Sequence, residues 1–156
     1  MPLLLRAGGL SGLLLRTNQM SARFRGGMAR PIRSSLVIIR GWIKDNIAKR
    51  GALQPGGWLP LRASTIKRKM RIPGIGPARA TRPLVRTGAL RDGWAMEVGP
   101  RRGVLKSLVD YGGYHEHGTR KMFRRPILPD HAHAVAAVKP VWDRWLARVL
   151  HGGGEE

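Results

Sequence analysis

The chain has 156 residues, with 29 Lys and Arg against 9 Asp and Glu for a formal net charge of +20, and it has no cysteine. The length suits one domain with extended ends, and the missing cysteine excludes disulfides, thiolate metal sites and cysteine nucleophiles. A charge this one-sided opposes compactness by self-repulsion, so it points outward, to a polyanion or an acidic partner surface.

Residues 1–44 carry no acid, Asp45 being the first, and they hold Arg6, Arg16, Arg23, Arg25, Arg30, Arg33 and Arg40. Gly8, Gly9, Gly12, Gly26 and Gly27 interrupt the first stretch, and each glycine inside a helix costs about 1 kcal/mol relative to alanine. The expectation for 1–27 is an arm with one or two short helical stretches that depend on a partner surface. A transit peptide has a similar composition; a secretory signal fits less well, because Arg16 ends the short apolar run. No apolar run reaches membrane-spanning length.

Residues 34–50 read as the first firm helix. Leu36, Ile39, Ile43 and Ile47 recur at steps of three and four and draw one apolar stripe, with Ser34 or Ser35 as the cap and Gly51 as the left-handed stop. Pro55, Gly56 and Gly57 make a turn, and residues 58–61 are short, apolar and extended. Residues 64–71 predict a helical turn or two. Residues 71–83, with Pro73, Gly74, Gly76, Pro77 and Pro83, predict a long basic loop.

Residues 91–98 alternate, with Trp94, Met96 and Val98 on one face, which is a strand signal. The turn at 99–103 leads to a return strand over 104–109, apolar on both sides and so expected to be buried on both. Asp130 follows Pro129 as a good cap for a last helix over 130–150, where Val135, Val138, Trp142, Trp145 and Val149 form a stripe. Pro140 inside it predicts a kink or a division. The fold class is α+β: a small antiparallel sheet packed with two main helices, an extended basic arm and long loops. The arm covers 1–30, a single domain 31–151 and a flexible tail 152–156.

No residues spell out a catalytic site. The pairs His115/His117 and His131/His133 match no zinc spacing, zinc wanting four ligands or three and water. Gly74 and Gly76 lack the Lys-Ser/Thr of a phosphate loop, and no Gly-x-Ser-x-Gly elbow occurs. Neither an enzyme nor a cofactor or metal is expected.

Three blocks carry a resemblance. The first is Gly57, Trp58, Leu59, Pro60 and Leu61, followed by Ser64, Thr65 and the basic Lys67, Arg68 and Lys69. The second is Leu84, Thr87, Gly88, Leu90 and Arg91. The third is Val98 and Gly99, then Tyr111, Gly112, His115 and Gly118, then Arg125, Pro126, Ile127 and Leu128. Their order and spacing resemble the phage virion morphogenesis family of tail-completion, or head–tail joining, proteins over about half the chain. Gly112, His117 and Arg124 depart from the pattern, standing where the family usually has alanine, an aromatic and a small residue. The resemblance implies a non-enzymatic virion protein of the neck or tail, assembled in the host cytoplasm. It implies a homo-oligomeric ring, taken as hexameric, that meets tail tube or terminator proteins and the head–tail connector and has no membrane partner. Trp58, Pro60, Leu61, Thr87, Gly88, Leu90, Arg91, Tyr111, His115, Gly118, Arg125 and Pro126 would then maintain the fold. Arg79, Arg82, Arg101, Arg102, Arg120, Lys121 and Arg124 are the expected exposed cations, meeting genomic DNA without sequence preference or acidic protein partners. The alternative is a basic RNA-binding protein of ribosomal type, which uses the same charge.

Overall fold

The computed structural model describes residues 8–151, so the expected tail over 152–156 lies outside the described residues. In chain order the elements are α1 (Gly8–Gly27), α2 (Ala29–Ala48), α3 (Ala63–Met70), α4 (Pro77–Ala80), α5 (Ala89–Asp92), β1 (Trp94–Val98), β2 (Gly103–Ser107), α6 (Gly112–His117) and α7 (His131–His151). The fold is a small α+β one whose antiparallel β1–β2 hairpin forms a two-stranded sheet.

The central element is α2, which touches both the hairpin and α7. Its stripe is real: Ile43 and Ile47 are fully buried and join Leu90 and Ile127 in the core, with Ile39, Trp42, Trp58, Trp94 and Leu105 packed around them. The helix starts at Ala29 and not at the serines. Pro31 falls in its first turn, where the absent N–H would have had no helical partner. Ser34 and Ser35 are therefore interior residues. The Ser35 hydroxyl donates to the Pro31 carbonyl at 2.8 Å and accepts from Trp142 Nε1 at 3.0 Å, tying α2 to α7. At the far end the Gly51 N–H donates to Asn46 O at 2.8 Å, with Gly51 at φ +82° as a left-handed stop.

Of the expected arm, residues 1–7 lie outside the described residues and Gly8–Gly27 form a 20-residue helix, α1, which packs on this chain's own α7. Phe24 meets Trp145 edge to face at 5.4 Å, and Gly27 lies under the Trp145 indole, where a Cβ would come within 3.2 Å of Nε1. Among the described residues α1 thus adds a third long helix to the two expected, α2 and α7.

Asp130 caps α7, its carboxylate accepting from the His133 N–H at 2.8 Å. Pro140 does not divide the helix, which runs unbroken to His151. The apolar stripe begins later than its pattern implies: Trp145 and Val149 are buried, whereas Val135 is 45% exposed.

In the hairpin, Trp94 pairs with Ser107, Met96 with Leu105 and Val98 with Gly103. Gly103 sits against α2, where a Cβ would meet Ile32 Cγ2 at 2.5 Å. The return strand is not buried on both sides. A two-stranded sheet with one face on α2 leaves the other to solvent, and Val104 is 41% exposed. The loop expected over 71–83 contains α4, with Ala80 and Pro83 buried.

Candidate interaction groove

The blocks that are separate in sequence meet on one side of the core. Arg125 stands at the centre. Its N–H donates to His115 O at 2.8 Å, and its Nη2 donates to Leu59 O at 3.3 Å. The next carbonyl, Pro126 O, accepts from Trp58 Nε1 at 3.0 Å and from Asn46 Nδ2 at 3.2 Å. Glu116 clamps the same segment, one carboxylate oxygen accepting from the Ile127 N–H at 2.6 Å and the Leu128 N–H at 3.1 Å. Gly118, at φ +75°, turns the chain out of α6, and a Cβ there would lie 3.0 Å from the Arg124 N. Thr87 and Gly88 start α5: the Ala89 N–H donates to Thr87 Oγ1, and Gly88 at φ +91° makes the left-handed turn. Leu90 is buried, and its carbonyl accepts from Trp94 Nε1 at 2.8 Å.

This framework walls a groove of about 1100 Å³, lined by Pro60, Leu61, Thr87, Tyr111, His115 and Arg125 from the three blocks, with Ile72, Leu84, Val85 and Met122 as an aliphatic floor. Six cations line it, Arg62, Arg68, Lys69, Arg86, Lys121 and Arg125, and none of its lining residues is acidic. Lys69 is tied down, its Nζ donating to the carbonyls of Arg79, Arg82 and Val85 at 3.2, 2.7 and 3.2 Å. Burial and the nearby Arg79 hold its pKa below the usual lysine value. Arg62 lies over the Phe123 ring at 5.8 Å, and Tyr111 meets His115 edge to face at 6.0 Å. Burial, then the Arg125 charge, lowers the His115 pKa. Burial likewise lowers that of Arg125.

Two nitrogens of groove-lining residues, Arg125 Nε and His115 Nδ1, are sealed from solvent without a hydrogen-bond partner. Arg125 is only 7% exposed, and no carboxylate pairs with it among the ion pairs of the described residues. A buried, uncompensated guanidinium is costly, because it has lost water and gained no anion.

The expected cations do not form one surface. Lys121 lines the groove. Arg79 and Arg82 line a smaller neighbouring pocket of about 310 Å³ with Gly88 and Arg91. Arg91 is paired with Asp92, which also meets Lys44. Arg101 and Arg102 are exposed at the hairpin turn, Arg120 is exposed, and Arg124 donates from Nε to Glu116 O at 3.0 Å. Sequence reasoning missed Arg62, Arg86 and Phe123 as groove residues and read Arg68 and Lys69 only as part of a basic motif. The helical spacing of Arg62, Thr65, Arg68 and Lys69 was the available signal, since steps of three and four share a face.

His115 and His117 lie on α6, a helix, where positions two apart diverge. Among the described residues no three His, Asp or Glu side chains converge as a metal site. No helix among them is long and apolar enough to cross a membrane. No family model, curated protein or solved structure matches the chain.

Proposed function

We propose that this chain is a structural component of a tailed-phage virion, a ring-forming tail-completion or neck protein at the head–tail junction. The observation that carries the reading is that the three resembling blocks meet: the first and third are hydrogen-bonded to one another, and Leu90 of the second packs with Ile127 of the third in the core. Leu59 meets Arg125, Trp58 meets Pro126, and His115 meets Arg125. Exposed apolar side chains, among them Leu14 and Leu15 on α1, Leu108 after β2 and Tyr114 on α6, offer material for subunit contacts. A head-to-tail contact of this kind closes into a ring when its rotation permits.

Gradient sedimentation of native lysate tests the reading. Co-migration with phage particles or detached tails is the expected result. Co-migration with ribosomes would replace it with the RNA-binding alternative. Within the neck reading, Arg101 and Arg102 at the hairpin turn are the proposed contacts to duplex DNA. Replacing both with alanine should weaken duplex binding and flatten its log–log salt slope by about two; an unchanged slope in a salt titration would remove DNA from their role.

A further inference from the structure

We propose that the groove between α3, α6 and the 121–125 segment binds an extended acidic, apolar peptide segment of a partner protein, with a carboxylate received at Arg125. Three observations converge. The lining is cationic without any acid, from Arg62, Arg68, Lys69, Arg86, Lys121 and Arg125, while the floor is aliphatic, from Leu61, Leu84 and Val85. The Arg125 side chain, 7% exposed, lines the groove with no carboxylate partner among the ion pairs of the described residues. The volume, about 1100 Å³, has room for several side chains of a peptide segment.

The chemistry selects the occupant. An acidic side chain compensates Arg125 through charge-assisted hydrogen bonds, the strong kind. Apolar side chains flanking it bury against the floor, and further carboxylates meet the rim cations, which steer association and set specificity. A single strand of nucleic acid fits less well. Strand-binding grooves offer free aromatic faces for bases to stack on. Here Phe123 already lies under Arg62 and Tyr111 stands edge-on to His115, while the floor is aliphatic. The basic 1–44 segment of a second copy is excluded by its own charge.

Fluorescence anisotropy with the whole chain decides this, at about 0.15 M salt so that exposed charges are screened beyond roughly 8 Å. The probes are short labelled peptides of mixed Glu and Leu, of Glu and Ser, and of Gln and Leu, with an oligothymidylate of matching length. The Glu/Leu peptide should bind saturably at one per chain, and the other two peptides at least about tenfold more weakly. The rim variant Arg86→Glu with Lys121→Glu, at exposed positions that leave the framework bonds intact, should weaken the Glu/Leu peptide by about tenfold or more. Equal binding of the Glu/Ser peptide would reduce the groove to unspecific charge and overturn the proposal. So would oligothymidylate binding as tightly as the Glu/Leu peptide and being lost in the same rim variant, which would make it a single-strand groove. Absence of saturable peptide binding would also end it. None of these outcomes bears on the neck reading, which sedimentation decides separately.

Discussion

Gly51 shows how narrowly single positions are fixed. It closes α2 at φ +82°, and a Cβ there would stand 2.3 Å from Trp58 Cγ. Gly51→Ala would impose a left-handed alanine and displace an indole that holds Pro126 O, so urea unfolding should show a loss of about 2–4 kcal/mol. His115 gives a pH signature. Its unfolded imidazole takes a proton near pH 6.5, while burial and Arg125 make the folded one resist it. Between the folded pKa and 6.5 the unfolded state holds the extra proton, so this contribution is complete above about pH 6.5 and is lost as pH falls through that window. His115→Gln, which keeps the backbone carbonyl that accepts from Arg125, should flatten the melting temperature between pH 7 and 5 (both on the order of the ordinary histidine range).

The long helices make the frame, and their legibility differs for physical reasons. The α2 and α7 stripes were readable because a covered face repeats every three to four residues, along the length of α2 and over Val138–Val149 of α7. α1 was read as a broken arm because its glycines were counted as interior. Gly8, Gly9, Gly26 and Gly27 lie at its two ends, where the penalty is small, leaving Gly12 alone inside, and Gly27 is what lets Trp145 approach. Trp145 joins α1 and α7, packed on Phe24 and Trp142. Trp145→Ala should therefore cost about 3–5 kcal/mol in denaturant unfolding, and amide exchange in α1 should rise more than in α2, whose core residues Ile43 and Ile47 remain packed. α4, α5 and α6, four to six residues each, are too short for periodicity to show. The motif residues of the framework were legible because glycines, prolines and a tryptophan mark turns and anchors. The groove was not, because which cations line it depends on how the 79–85 and 119–125 loops fold over α3.

At the scale of the molecule, the charge of +20 has little internal compensation. The ion pairs among the described residues, such as Lys44–Asp92 and Lys139–Asp143, are exposed and short of acids to extend them, and pairs of this kind contribute little. Screening should therefore help this fold. Raising sodium chloride from about 0.05 to 0.5 M, which shortens the screening length to under roughly 5 Å, should raise the melting temperature in a thermal-shift scan; a fall would mean that exposed pairs outweigh the repulsion.

The framework bonds also set an order in time. Trp58 and Asn46 find their carbonyls 68 to 81 residues further along the chain. A ribosome adding about 5–20 residues per second therefore leaves both side chains waiting on the order of 3–16 s before their partners exist. During that interval α2 carries its apolar face and a strongly basic segment with no lid. The nascent chain is then open to chaperones and to polyanions, and native closure belongs to the release of the last third of the protein.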